Sequence, residues 1–429
     1  MHIHLIGSEG VSMKWIAGYF RGRGAEVTVS DLRTGGHDPS NVKGADLVIY
    51  TSAIEDNNVE LVAAREAGMT VLPRSEALAR IARDLGFCIA VAGTHGKTTV
   101  TAMTAYALAA YRPAAHFGGT VLGKTGATEG DMLVTEACEY KRNFLTLSPD
   151  MSVVLNIELD HTDCYDCFSA VLGAFSRFAA QSETVIVPEE FAPFCLPRAG
   201  GRQVCVGRRG SYALIDRVSD GEGSDIAVKT PDGILRTRLN VIGRHNADNA
   251  VYAVAAAHEY GATLSEIADG LAAFPGVDRR LQRKGSVCGK PLFSDYAHHP
   301  TEIRAGIRAL RDAGYSRPLV LFRPHTYARL TSLFKEFAIS LLGVRSIILP
   351  VFRARGDCLG ADSYSLSREI VSRHGTSEYA AGFAAAAELA RSHASDCDVV
   401  ILMGAGDEER ILPMLCDETP CVDNEKDKG

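Results

Sequence analysis

Apolar residues along this chain gather in short unbroken runs, separated by longer stretches in which they recur every three or four positions. Unbroken runs of this length read as strands buried on both faces, and the wider spacing reads as helices with one apolar stripe. Residues 2–6 form the first run and lead straight into Gly7. Residues 26–30, ending at Asp31, and residues 46–50 form the next two. With helical patterns between them, these runs describe a small Rossmann-like α/β unit that ends near residue 85.

The pattern then repeats twice. Residues 87–92 are continuously apolar and end at Gly93-Thr94-His95-Gly96-Lys97-Thr98-Thr99, after which residues 100–110 have helical periodicity. Further strands are expected at 131–135, 152–157 and 184–187. A third series has strands at 291–295, 318–322, 346–350 and 399–403. The predicted fold class is therefore α/β with three domains: Rossmann-like at 1–85, a central P-loop ATPase-like domain with a parallel sheet at 86–284, and Rossmann-like again at 285–429.

Composition removes several function classes. The chain has 429 residues, 46% hydrophobic and 23% charged, as in a protein with a sizeable core. A net charge of -7 gives no basic footprint for nucleic acid. No apolar run approaches the ~18 residues that suggest a membrane span. The first ten residues lack the basic start and long apolar run of a signal peptide, so a cytoplasmic location is the expectation. Eleven cysteines are scattered from Cys88 to Cys421. Cys164 and Cys167 form a lone CxxC beside His161 with no second pair nearby, so they are read as free thiols rather than zinc ligands.

The chemistry is concentrated in the glycine-rich loop. A strand, then Gly93-Thr94-His95-Gly96-Lys97-Thr98-Thr99, then a helix is an arrangement suited to a phosphate. Glycines let backbone N–H groups approach phosphate oxygens, Lys97 supplies a full charge, and the Thr98 hydroxyl can reach Mg²⁺. The spacing departs from the generic phosphate-loop pattern, because Val91 stands where the first glycine would fall. Without a ligand, the same residues would form a plain glycine turn closing a βα unit.

Gly93–Thr99 resembles the ATP loop of the Mur ligases, in which this shorter spacing is usual. Other segments resemble the same family in chain order: Ser52-Ala53-Ile54, Arg74-Ser75-Glu76, Glu136-Ala137-Cys138-Glu139 and Asn156-Ile157-Glu158-Leu159-Asp160-His161. They continue with Gly243-Arg244-His245-Asn246-Ala247-Asp248-Asn249-Ala250, Arg279-Arg280, Asp295–Glu302, Pro324-His325, Ala354-Arg355 and Met403-Gly404-Ala405-Gly406-Asp407. The resemblance covers essentially the whole chain. It is closest to the branch of the family that joins L-alanine to UDP-N-acetylmuramate.

The resemblance implies an ATP-dependent ligase of peptidoglycan synthesis. A carboxylate is phosphorylated to an acyl phosphate, which an amine then attacks. Lys97, Glu136 and His161 are the implied catalytic residues. Thr98 and Glu136 would hold one Mg²⁺, and His161 a second. ATP would be bound by Gly93–Thr99 with His245, Asn249, Arg280 and Asp295; His245 and Asn249 lie four apart, on one face of a helix. Gly7, Gly10, His37 and Ser52 would bind the UDP substrate. Tyr296, His298, His325 and Arg329 would bind the amino acid, the arginine fork pairing with its carboxylate. The implied partners are small molecules, and the implied assembly is a monomer or weak homo-oligomer.

Three departures bear on the substrates. Glu9 occupies a position in Gly7-Ser8-Glu9-Gly10-Val11-Ser12-Met13 that the family normally gives to glycine. Facing a diphosphate, its charge would repel by about 4 kcal/mol at about 4 Å, so either Glu9 points away or the ligand differs. The segment from Asp31 to Gly36 lacks the added helix and strand usual in the family, leaving the first domain shortened. Thr326 stands where an arginine commonly follows the histidine. These departures keep two other readings open: a related ligase with a different carboxylate or amino acid, as in muramyl-peptide recycling, and a non-catalytic nucleotide-binding paralogue.

Overall fold

The structure, a computed structural model, describes residues 1–160, 164–353 and 357–417. The chain packs into two compact units. One comprises residues 1–218, 225–240 and 246–278; the other comprises 219–224, 241–245 and the chain from 279 onward.

The first unit opens with β1 (His2–Ile6), α1 (Val11–Gly22), β2 (Glu26–Ser30), β3 (Leu47–Tyr50), α2 (Val59–Glu66), β4 (Thr70–Pro73) and α3 (Arg74–Asp84). These make a four-stranded parallel sheet of order β2-β1-β3-β4. Between β2 and β3 the chain closes a tight turn, with the N–H groups of Thr34 and Gly36 donating to Asp31 O, and then a short 3-10 helix, Pro39–Val42.

The next strands are β5 (Phe87–Ala92), β6 (Ala114–His116), β7 (Met132–Glu136), β8 (Met151–Val154), β9 (Thr184–Pro188) and β10 (Arg202–Val206), with α4 (Lys97–Ala107) after β5 and α5 (Phe168–Ala179) after β8. They form a parallel sheet of order β10-β9-β8-β5-β7-β6. A three-stranded sheet of β11 (Ala213–Ser219), β12 (Ser224–Thr230) and β13 (Gly233–Leu239) follows. Helices α6 (Arg244–Tyr260) and α7 (Leu264–Ala272) come next. α7 lies so close to α4 that a Cβ on Gly270 would overlap the carbonyl of Tyr106.

Two expected element bounds need correction. The helix expected from residue 100 begins at Lys97, because Gly96 at φ +84° turns the chain into it three residues earlier. The strand expected to run to residue 157 ends at Val154, because the backbone beyond it bonds to the loop before α4 instead.

One apolar core runs through both parallel sheets of this unit, from Ile3, Trp15 and Ile49 through Leu78 and Ile81 to Ala90, Phe144 and Phe175. At about 25 cal/mol per Å² of apolar surface buried, such a shared core is the main source of cohesion. Polar ties add to it: the Trp15 indole N–H donates to Ala127 O at 2.9 Å, and Thr146 Oγ1 donates to Ser75 O at 3.3 Å.

The second unit is built on β14 (Gln282–Val287), β15 (Lys290–Asp295), β16 (Pro318–Phe322), β17 (Arg345–Ile348), β18 (Thr376–Tyr379) and β19 (Val399–Met403). The sheet order is β14-β15-β19-β16-β17-β18, parallel except for β14 against β15. Helix α8 (Pro300–Asp312) packs on one face, capped by His299 and Glu302, and α9 (Tyr327–Ser332) starts from Thr326. The expected α/β architecture is therefore the observed one.

Candidate active site

In the larger sheet β5 is central, with β8 on one side and β7 on the other. The carboxyl ends of all three therefore open onto one edge, which is where parallel sheets place ligands. The loop Gly93–Gly96 leaves the end of β5. Gly93 has φ +157° and a Cβ there would press on Leu155; Gly96 has φ +84° and a Cβ would press on the Asn249 amide oxygen. Both positions need glycine, and Asn249 lines the loop.

The loop is clamped by the segment after β8. Thr94 N–H donates to Asn156 O at 3.1 Å, His95 N–H to Asn156 Oδ1 at 2.8 Å, and Asn156 Nδ2 to His95 O at 3.0 Å. Glu158 N–H donates to Thr94 Oγ1 at 2.8 Å. Asn156 was legible as part of a motif, but its role as a backbone clamp was not. His161 lies outside the described residues, as does the Ala354-Arg355 pair.

Lys97 is the first residue of α4. Its ammonium donates to Gly93 O at 2.5 Å and Thr94 O at 3.2 Å, and pairs with Glu139 at 2.9–3.0 Å. Burial alone would pull this ammonium below the ordinary lysine value, but the Glu139 carboxylate more than offsets it and holds it above. Glu139 is itself buried. It went unassigned in the sequence, although it lies three residues past Glu136 at the end of β7.

Thr98 and Glu136 come together at the dipeptide Gly118-Gly119. Gly118 N–H donates to Glu136 Oε1 at 2.6 Å, and a Cβ on Gly118 would lie 3.2 Å from Glu136 Oε2. A Cβ on Gly119 would lie 3.1 Å from the Thr98 methyl. Thr98 and Glu136 thus flank two adjacent glycines beside the Gly93–Gly96 loop, and a threonine hydroxyl and a carboxylate are hard oxygen donors of the kind Mg²⁺ takes.

A directed chain of hydrogen bonds reaches this point from α1. Arg74 donates to Ser12 Oγ at 3.1 Å, Ser12 Oγ lies 2.7 Å from His116 Nε2, and His116 Nδ1 lies 2.8 Å from Thr135 Oγ1. Thr135 donates onward to Glu136 O at 3.2 Å. That direction fixes the imidazole tautomer, with Nδ1 donating and Nε2 accepting. Burial pushes His116 down to about 3, so the ring is neutral. Nothing in the sequence marked His116.

In the first sheet Gly7, at φ +80°, has no room for a Cβ against Thr51, whereas Gly10, at φ -68°, meets nothing and caps α1. Glu9 forms a partly exposed ion pair with Lys14 at 2.8 Å. Its backbone N–H donates to Asp31 Oδ2 at 3.1 Å. Ser52 is exposed. His37 is tied into a buried network: its Nδ1 lies 3.1 Å from Glu60, which also takes hydrogen bonds from Ser30 at 2.5 Å, Asn41 at 2.6 Å and Asp38 N–H at 3.1 Å.

In the second unit Tyr296, His298, His325 and Arg329 lie side by side. The Tyr296 and His298 rings are 5.4 Å apart, His298 and His325 are 6.0 Å apart, and Arg329 Nη1 is 3.4 Å from His325 Nδ1. Burial brings both histidines down to about 4. Thr326, directly after His325, holds φ +66°, an unfavourable angle for a β-branched residue. Asp295 accepts from Leu281 N–H at 2.9 Å and Ala297 N–H at 2.7 Å, and burial raises it to about 6. Arg280 stacks on Tyr296 and pairs with Glu302 at 3.6 Å. Residues 241–245, including His245, pack with this second unit, although His245 lies in the first turn of the same helix that carries Asn249.

A glycine-rich strand-to-helix loop with a partly buried lysine, and a carboxylate at the end of the adjacent parallel strand, make an α/β site of the kind that takes nucleotide phosphates. Three family models match in succession: the Mur ligase family catalytic domain at 2–85, the Mur ligase middle domain at 91–257, and the Mur ligase glutamate ligase domain at 279–406. The chain belongs to the Mur ligase family, and it is a ligase. It is 31% identical to the UDP-N-acetylmuramate–L-alanine ligase of Acetivibrio thermocellus, over 98% of this chain and 97% of the relative. It is 36% identical to that of Mycolicibacterium vanbaalenii, over 94% and 93%. The fold matches UDP-N-acetylmuramate-alanine ligase MurC from Thermotoga maritima with TM-score 0.80 at 24% identity, over 96% of this chain and 98% of that one. It also matches a murein peptide ligase from Psychrobacter arcticus with TM-score 0.68 at 22% identity, over 98% and 100%. Among the described residues no helix is long and apolar enough to cross a membrane.

Proposed function

We propose that this ligase joins L-alanine to UDP-N-acetylmuramate in peptidoglycan synthesis, using ATP to activate the muramate carboxyl group as an acyl phosphate. The observation that carries the chemistry is the convergence of Thr98 and Glu136 on Gly118-Gly119 beside the Gly93–Thr99 loop. The substrate names come from relatives that are alike over nearly their whole length.

In this reading residues 1–85 hold the UDP moiety, 86–284 the ATP, and 285–429 the amino acid, in the cytoplasm. The Gly93–Gly96 backbone and the α4 N-terminus cradle the phosphates. Lys97 neutralises charge on the transferring group, where fixed cations act on the transition state. Thr98 and Glu136 would hold Mg²⁺, which supplies charge neutralisation. Arg329 orients the amino-acid carboxylate, and the neutral His298 and His325 leave the incoming amine unrepelled.

Phosphate release should require ATP, Mg²⁺, UDP-N-acetylmuramate and L-alanine together, and Lys97→Ala should reduce it by more than about 100-fold. Equal release without the muramate would remove the substrate assignment. A related ligase with another carboxylate is the second reading, favoured by the tight Asp31–Gly36 turn in place of a longer segment. It predicts release with a muramyl peptide in place of UDP-N-acetylmuramate.

A further inference from the structure

An ammonium group has three N–H bonds. In Lys97 they are directed at Gly93 O, Thr94 O and the Glu139 carboxylate, all within 3.2 Å. The side chain is therefore folded back over its own loop, with its donors spent on protein oxygens. A phosphate entering the loop needs those donors and must take them from something. The two loop carbonyls are neutral; the strongest competitor is Glu139, whose two carboxylate oxygens lie 2.9 and 3.0 Å from Nζ. A charge-assisted pair of this kind is roughly twice as strong as a neutral hydrogen bond.

Glu139 is fixed where it stands. Its carbonyl accepts the buried Tyr165 hydroxyl at 2.7 Å and the Arg142 N–H at 2.9 Å, and its side chain is 4% exposed. It is also distinct in position from Glu136, whose carboxylate faces Gly118 N–H. The two acids leave the end of the same strand but hold different groups.

We infer that Glu139 is a positioning residue that latches Lys97 in a phosphate-excluding pose, so that nucleotide binding exchanges this carboxylate for the β- and γ-phosphates. The exchange sets a threshold that lowers affinity for a bare nucleotide and keeps the loop shut without one. This rests on the reading of Gly93–Thr99 as a nucleotide loop, but on neither acceptor substrate.

The test is titration calorimetry of the full chain with ADP and MgCl₂. Glu139→Gln keeps the shape and weakens the latch, so its dissociation constant should fall by about tenfold. Glu139 is also a negative charge near the phosphates, and its removal could tighten binding by lost repulsion alone. Lys97→Met separates the two causes. In that background Glu139→Gln should have no effect if the latch operates; a persisting gain, or an unchanged constant in the single variant, overturns the inference. KM for ATP should fall in Glu139→Gln while KM for the amino acid stays put. If Glu139→Gln does not fold, Glu139→Asp, which shortens the reach by one methylene, should show a smaller gain that also vanishes with Lys97→Met. Failure of the unaltered protein to bind ADP at all would instead remove the nucleotide-loop reading, and the latch with it.

Discussion

A carboxylate with no exposed surface is costly unless hydrogen bonds keep it ionised. Glu60 is kept that way. Burial by itself would raise its pKa, but hydrogen bonds from His4, Ser30, Asn41 and the Asp38 backbone more than offset it and bring the group from 4.5 to about 2. A carboxyl whose folded value is depressed contributes stability above its unfolded value, and that contribution is lost as pH falls from about 4.5 towards about 2. Urea unfolding followed between pH 7 and 3 should therefore weaken as acid is added. Glu60→Gln should flatten that slope and cost about 2–4 kcal/mol at pH 7. An unchanged slope would mean that another group carries the acid sensitivity. This network was invisible in the sequence, because Glu60 comes from α2 and its partners come from β1, β2 and the Pro39–Val42 turn. His37 was expected near the UDP substrate; the structure places it beside Glu60, where it helps hold that turn.

At the scale of elements, the phosphate loop depends on how α4 is seated. α7 presses directly on its backbone at Gly270. Gly270→Ala has nowhere to put a methyl group without moving one helix off the other, and should destabilise by about 1–3 kcal/mol in chemical denaturation. An unchanged midpoint would show that α7 yields freely. The chain through Ser12, His116 and Thr135 works at the same scale, tying the start of α1 to the carbonyl of Glu136. Strands and their order of appearance could be read from the apolar runs, because buried parallel strands are continuous in sequence. The start of α4 was read three residues late, because the apolar periodicity begins at Val100 while the backbone turns at Gly96. Glu139 lay inside a quoted motif, yet its partner Lys97 is forty-two residues away, and pairing at that distance is a property of the sheet order.

For the whole molecule, the succession of three α/β segments was legible, and so was the family. The distribution of the core was not. Sequence punctuation near residue 85 suggests a self-contained leading domain, but Ile3, Trp15, Ile49, Ala90 and Phe175 belong to one continuous apolar interior. Swapping the leading segment for that of a relative, in the hope of redirecting the ligase to a new acid, therefore means recutting an inner wall as well as a binding loop. A chimera joined at residue 86 should stay soluble if its donor brings an indole to meet Ala127 and a matching oily flank; otherwise it should bind hydrophobic dyes and precipitate. This leading segment behaves less like a cartridge than like half of a mould.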